Sequence, residues 1–176
     1  MRLFIAITLP VQAKTNLTRN IEQLSAFLTS GNIVPQDNLH ITLHFLGETP
    51  DSKLIYIQSA MDSLKGMEKP MLGISGITAF RSADLICARY KHNNALIEVH
   101  KKLGDGLEQA GFFVEDRAYR PHTTLIRKAR FSLPFSEVNK NVTVYNKPFE
   151  AGCITLYRTL FEQDGVKYVP LYSVEL

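Results

Sequence analysis

The chain has 176 residues, of which 45% are hydrophobic and 21% are charged. These values are ordinary for a globular protein, so they exclude a disordered or fibrous chain, and the length suits a domain with its own core. Twenty Lys and Arg residues against 17 Asp and Glu residues give a net charge of +3. This balance excludes a general nucleic-acid-binding coat but leaves room for a local basic groove.

The cysteines and the apolar runs exclude further classes. Cys87 and Cys153 lie far apart and match neither a zinc-ligand spacing nor a disulfide framework. No run approaches the roughly 20 apolar residues that a membrane-spanning helix needs. The sequence therefore predicts a cytoplasmic protein that has no metal site, no cofactor and no membrane partner.

The predicted elements alternate between strands and helices. Residues 3–9 are apolar and β-branched, which favours a buried strand over a signal sequence, and residues 11–28 have leucine and isoleucine at helical spacing. The sequence next predicts a turn-rich connection at 31–38, a strand at 39–46 and a helix that begins with Asp51 as its cap and ends near Leu64. Strands follow at 71–80 and 85–90, separated by a polar turn at 81–84, and then a helix at 96–110 that ends at Gly111. The last predicted elements are a strand at 119–126 and a closing β-hairpin, whose strands at 149–161 and 167–174 are joined around Gln163-Asp164-Gly165.

These elements predict an α+β fold in a single domain over residues 1–176. Each half of the chain has a strand with the same short histidine motif, flanked by amphipathic helices and further strands. We therefore expect a bilobal molecule, with two pseudo-symmetric lobes whose antiparallel sheets line a central groove and whose helices lie outside. A groove between two lobes is a natural place for a binding site.

The repeated motif is His-x-Thr-Leu, which begins at His40 and again at His122. In a strand, residues two apart point to the same side. Each histidine therefore shares a face with a threonine, Thr42 or Thr124, while the residues between and after them can pack into the core. Two such strands side by side would bring two imidazoles and two hydroxyls around a volume of phosphate size.

The residue types suit acid and base catalysis at phosphorus. One imidazole can take a proton from an attacking water and the other can give a proton to the departing oxygen, because the pKa of histidine is near neutrality. Threonine hydroxyls can bind the remaining phosphate oxygens. A single strand histidine is more often an ordinary polar residue, but two copies in matching contexts favour a shared site.

The sequence resembles the 2H phosphoesterase superfamily, and within it the RNA 2',3'-cyclic phosphodiesterases once described as 2'-5' RNA ligases. The resemblance covers nearly the whole chain. It rests on Arg2-Leu3-Phe4-Ile5-Ala6, on residues 34–43 with Phe45-Leu46-Gly47-Glu48, on Arg120-Pro121-His122-Thr123-Thr124-Leu125, and on Leu156-Tyr157-Arg158 with Tyr168.

This resemblance implies hydrolysis of RNA 2',3'-cyclic phosphate ends to 2'-phosphomonoesters, without a metal ion, by a monomer whose partners are RNA or oligonucleotide ends. His40 would protonate the leaving 3'-oxygen and His122 would activate water. Thr42 and Thr124 would bind the phosphate. Alternatives that stay open are a cyclic phosphodiesterase for small nucleotides, a reversible 2'-5' RNA ligase, and an RNA-end binder without turnover.

Five other positions carry predictions of their own. Phe45 matches a family position that stacks on a base, but strand alternation puts it opposite His40, so a core position stays open. Arg127 matches a basic residue that could neutralise phosphate, provided that its strand ends or bulges near Ile126. Alternation puts His44 on the face of His40. His92 and His100 are predicted to lie at the surface.

Overall fold

The structure is a computed structural model that describes residues 1–80, 84–163 and 165–176. Ten strands occur in these ranges: β1 (Arg2–Thr8), β2 (Leu28–Ile33), β3 (His40–Glu48), β4 (Met71–Leu72), β5 (Ile74–Phe80), β6 (Leu85–Tyr90), β7 (His122–Phe131), β8 (Phe149–Glu150), β9 (Cys153–Glu162) and β10 (Gly165–Glu175). The helices are α1 (Val11–Ser25), α2 (Leu54–Asp62), α3 (Asn94–Gln109) and α4 (Phe135–Lys140).

Most predicted elements are confirmed, and the main difference lies after the first helix. That helix ends at Ser25, and residues 28–33, predicted as helix end and turn, form β2 because they pair with β7. Asp51 begins a short 3-10 turn and does not cap α2, which has no side-chain cap. Most of the polar turn at 81–84, and Asp164 in the hairpin turn, lie outside the described residues.

The second half of the chain differs from the prediction at three places. The strand predicted at 149–161 is divided into β8 and β9, with a break at residues 151–152. The strand predicted at 119–126 begins at His122 and continues to Phe131 as β7. The short helix α4 has no signal in the hydrophobic spacing. The closing hairpin is confirmed by the antiparallel pairing of β9 with β10, and Gly111 lies just beyond α3 with a φ of 75°, as its C-terminal position requires.

Two antiparallel four-stranded sheets form the framework of the described residues. One has the order β10-β9-β1-β3 and the other β2-β7-β6-β5, while β4 and β8 form a small separate ladder. The two motif strands, β3 and β7, therefore lie in different sheets. Each sheet takes strands from both halves of the chain, and α1 packs against β7 while α3 packs against β3. Neither half of the sequence builds a sheet by itself.

The packing of α3 on β3 centres on His44. Its ring is buried, with 6% of its surface exposed, and its Nε2–H donates to the carbonyl oxygen of His100 over 2.9 Å. The ring also stacks on that of His100 at 4.2 Å between centroids. Gly104 of α3 lies against it so closely that an added Cβ would be 3.2 Å from His44 Cε1. A glycine inside this helix is thus explained by the close approach of the imidazole.

Replacing Gly104 with Ala should therefore destabilise the protein, because the bonded and stacked His44 ring cannot move away. In a His44→Ala background the same replacement should instead stabilise the protein by about 0.5–1 kcal/mol, the usual advantage of Ala over Gly inside a helix. Urea unfolding of the four proteins forms a double-mutant cycle. A stabilising Gly104→Ala change in the otherwise native chain would contradict this packing argument.

Candidate active site

The first motif lies on β3 with the alternation that the sequence predicts. Ile41 and Leu43 point into the core and are 0% and 5% exposed. His40 and Thr42 lie on the other face and are half-buried. The imidazole and the hydroxyl are in contact, since His40 Nε2 is 3.1 Å from Thr42 Oγ1.

The second motif repeats this arrangement on β7. Thr123 and Leu125 are fully buried, and the Thr123 hydroxyl is satisfied by the phenol of Tyr90 at 2.8 Å. His122 and Thr124 are half-buried on the opposite face. Each motif therefore presents one imidazole and one hydroxyl on the same face of its own sheet.

A β-bulge follows the first motif and changes which later residues share its face. Along β1, Ala6 is paired with Thr42 but Ile5 is paired with His44, so Leu43 is the extra residue of β3. Alternation is reset at this point. His44 consequently turns into the core, and the prediction that it shares the face of His40 is wrong.

The same bulge brings Phe45 to the face of the histidine. Phe45 is paired with Phe4, whose ring lies 4.9 Å from that of His40, and the Phe45 ring is 68% exposed. The expected opposition between Phe45 and His40 is therefore wrong, and so is the alternative of a core position. An exposed aromatic ring five residues after the histidine therefore lies on the same face of the sheet, 6.1 Å from the ring of Phe4.

An equivalent bulge follows the second motif. Along β6, Cys87 is paired with Thr124 and Ile86 with Ile126, so Leu125 is the extra residue of β7. Arg127 therefore lies on the face of His122, because the strand bulges next to Ile126 as that position requires. Arg127 and Phe45 hold equivalent positions, each five residues after its histidine, with different chemistry.

The two imidazoles are also oriented in the same way. His40 Nδ1–H donates to the carbonyl oxygen of Asn38 over 2.7 Å, and His122 Nδ1–H donates to that of Arg120 over 2.9 Å. Each acceptor lies two residues before its histidine. Because Nδ1 carries the proton in both rings, Nε2 of each neutral ring has a lone pair that can accept one.

Aromatic side chains surround the imidazole of His40. Its ring lies 4.9 Å from Phe4 and 5.2 Å from Tyr168, which meets it edge-on. This burial lowers the pKa of His40 to about 4, although the bond to the Asn38 carbonyl opposes the shift. The positive charges of Arg127 and His122 lower the pKa further, so both groups of the second motif act on the first.

These aromatic neighbours are functional candidates that sequence reasoning missed. Phe4 is 3% exposed and stacks on Tyr157 at 5.3 Å, while Thr8, which is paired with His40, bonds the Tyr157 hydroxyl at 2.7 Å. Their signal was the alternation of Phe4, Ala6 and Thr8 along β1. That signal becomes useful only when β1 is known to pair with β3.

Tyr119 joins the two motifs. Its hydroxyl donates to the carbonyl oxygen of Thr42 over 3.0 Å, and its ring stacks on His100 at 3.9 Å. Tyr119 lies three residues before His122, so this hydrogen bond connects the segment before the second motif to the strand of the first. His100 is half-buried in this stack, which makes its predicted surface position wrong, whereas the exposed position of His92 is confirmed.

A thiol lies beside the second motif, since Cys87 Sγ is 3.9 Å from Thr124 Oγ1. Among the described residues, no group of three or more His, Cys, Asp or Glu side chains could hold a metal ion. Cys87 and Cys153 are free, and burial raises the pKa of the Cys87 thiol to about 11. No helix in the described ranges is both long enough and apolar enough to cross a membrane.

Acid should destabilise the fold through the buried imidazoles. Burial lowers the pKa of His100 and of His40 from 6.5 to about 4. Between these values the unfolded chain binds protons that the folded chain does not, so stability should fall as the pH drops from 6.5 towards 4. His100→Phe keeps a stacking ring and removes one titration, and should make this fall shallower in urea unfolding.

The exposed His92 provides the matched control for that experiment. His92→Phe removes an imidazole that is exposed, and His100→Phe should flatten the fall more than this control does. An equally steep fall in the His100→Phe protein would show that His100 does not carry this effect.

Comparison with known proteins shows which sequences this chain is similar to. A family model described as "LigT like Phosphoesterase" matches residues 7–85. An RNA 2',3'-cyclic phosphodiesterase of Methanocaldococcus jannaschii is 29% identical over 180 residues, covering 99% of this chain and 98% of that protein. One from Geobacillus stearothermophilus is 30% identical over 165 residues and 91% of this chain, but the chain spans only about half, 52%, of that protein.

Solved structures have the same arrangement of helices and antiparallel sheets. Escherichia coli LigT complexed with 3'-AMP matches with a TM-score of 0.84 at 24% identity, covering 99% of this chain and 97% of that one. A Thermus thermophilus protein, TT0787, matches with a TM-score of 0.82 at 25% identity, covering 100% and 98%. The predicted α+β class is thereby confirmed, and the chain resembles the LigT-like phosphoesterases in both sequence and fold.

Proposed function

We propose that this protein hydrolyses RNA 2',3'-cyclic phosphate ends to 2'-phosphomonoesters, with His40 and His122 as acid and base. The observation that carries the proposal is the pair of equivalent bulged strands, which present a histidine, a threonine and a third side chain on one face each. The names of the similar phosphodiesterases support the substrate. The family resemblance supports the assignment of the two roles.

The proposed reaction is a displacement at phosphorus. His122 Nε2 takes a proton from water as the water oxygen attacks, the bond from phosphorus to O3' breaks, and His40 Nε2–H protonates O3'. The phosphate stays on O2'. Thr42 and Thr124 donate hydrogen bonds to the oxygens of the phosphate, where negative charge develops.

Arg127 and Phe45 complete the proposed site. Arg127 is exposed and five residues beyond His122, and its charge already acts on His40, so it can neutralise the phosphate. Phe45 offers an exposed ring to the base, a contact that every nucleobase can make. Phe45 and Arg127 hold equivalent positions in the two motifs, and in this proposal Phe45 binds the base while Arg127 binds the phosphate.

The low pKa of His40 fits a proton donor that is charged only with substrate bound. In the free protein the ring is neutral at pH 7, because its folded pKa is about 4. An anionic phosphate beside it favours the charged form and raises the pKa. Proton transfer to O3' is then helped by the same aromatic surroundings that disfavour the cation.

We further propose that the two sheets are lobes of one domain that face each other across a central groove. Two features support this arrangement. The strands β3 and β7 lie close together. Val34, six residues before His40, donates its N–H to the carbonyl oxygen of Leu125 in the second motif over 2.9 Å. The protein is proposed to act as a monomer in the cytoplasm. Size-exclusion chromatography with light scattering tests the monomer directly, and a dimer would overturn it.

His40→Ala and His122→Ala should each lower kcat on an RNA with a 2',3'-cyclic end by about 100- to 10,000-fold, because each removes a positioned proton carrier. His92→Ala, which changes an exposed histidine, should retain full activity. Circular dichroism checks the fold, and product analysis shows whether the phosphate remains on O2'. Unchanged turnover in either motif variant, or a 3'-phosphate product, would overturn the proposed mechanism.

Activity should also survive EDTA, since the proposed chemistry uses only imidazoles, hydroxyls and a guanidinium. The measurement is the initial rate before and after chelation, with Mg²⁺, Mn²⁺ or Zn²⁺ added back. A loss that one of these ions restores would identify a metal-dependent reaction instead.

A further inference from the structure

An exposed aromatic ring and a guanidinium lie together on the closing hairpin, apart from the residues already assigned. Phe161 in β9 is 69% exposed. The Cζ atom of Arg2 lies over its ring, 5.7 Å from the centroid. In the described part of the chain, no carboxylate forms an ion pair with Arg2. Glu48, which is paired with Arg2 across the strands, contacts the Met1 ammonium at 3.6 Å.

This pair lies on the same face of the sheet as His40. Arg2 and Phe4 are two apart in β1, and Phe4 contacts the His40 ring. Phe161 and Tyr157 are four apart in β9, and Tyr157 stacks on Phe4. The Arg2 and Phe161 pair therefore lies on the same face of the sheet as the aromatic rings around His40.

The hairpin also brings Phe161 within reach of the first motif. Phe161 is paired with Val166, whose carbonyl oxygen accepts a bond from Asn38 Nδ2 over 2.7 Å. Asn38 lies two residues before His40 and also orients its ring. With about 5–7 Å for each of these steps, the Cα atom of Phe161 lies within roughly 20 Å of that of His40. A few nucleotides of single-stranded RNA can span this distance.

We propose that Arg2 and Phe161 form a second nucleotide site, which binds RNA one or two nucleotides before the cyclic end. The inference rests on the proposed function and extends it from the terminal nucleotide to the RNA body. A guanidinium binds a phosphate with two parallel hydrogen bonds, and an exposed aromatic ring stacks on any base. The pair thus offers a contact for the backbone and one for the base, and it makes the enzyme selective for oligonucleotides over mononucleotides.

The test compares kcat/KM for a mononucleotide 2',3'-cyclic phosphate with that for a trinucleotide that ends in the same group. The native protein should prefer the trinucleotide by about tenfold or more, as expected for one stacked base. Phe161→Ala and Arg2→Ala should each remove most of this preference and leave the mononucleotide value unchanged. Unchanged mononucleotide turnover also shows that the variants are folded.

Arg158→Ala is the matched control. Arg158 lies in β9, the strand of Phe161, and is paired with the buried Leu3 of β1, the strand of Arg2. Its side chain is exposed on the opposite face of the sheet. The control removes the same charge and should keep the trinucleotide preference. A loss of preference in Arg158→Ala equal to that in Arg2→Ala would mean that general charge, and not this site, selects RNA.

The outcomes separate this inference from the proposed function. Equal kcat/KM for both substrates in the native protein would overturn the second site while hydrolysis stands. An equal loss on both substrates in Phe161→Ala would also overturn it, since the ring would then serve the terminal nucleotide. Absence of hydrolysis of either substrate by the native protein would instead overturn the proposed function.

Discussion

The β-bulge after each His-x-Thr-Leu motif determines which side chains can act together. At Leu43 and at Leu125 one strand has an extra residue, and alternation restarts on the other parity. The histidine and threonine before the bulge therefore share their face with the residue five positions after the histidine. Without the bulges, Phe45 and Arg127 would point into the core and His44 would point out.

The two motifs are equivalent in backbone and unequal in surroundings. Both rings donate Nδ1–H to a carbonyl two residues earlier, so both direct Nε2 to the same kind of position. His40 is enclosed by Phe4 and Tyr168, whereas His122 meets only the edge of Phe80 at 5.4 Å among the aromatic rings of the described residues. The first strand supplies Phe4 and the last strand supplies Tyr168, so strands from both ends of the chain create this difference.

The two halves of the chain are interleaved in the sheets that carry the motifs. Each sheet contains strands from both halves of the chain, and each motif strand is contacted by a helix from the other half, β3 by α3 and β7 by α1. Tyr119, three residues before His122, adds a hydrogen bond to the carbonyl oxygen of Thr42 in the first motif. Because these contacts are long-range, the position of each motif strand depends on residues from both halves of the sequence.

The sequence by itself determined the two motif strands, the amphipathic helices and the shared face of each histidine with its threonine, because these depend on local periodicity. It could not determine β2, which exists only by pairing with β7, or the partners of His44 and His100, which pack between a strand and a distant helix. The bulges, and with them the positions of Phe45 and Arg127, were decided only by the tertiary structure. Register between strands is a property of the pair, and no single strand carries it.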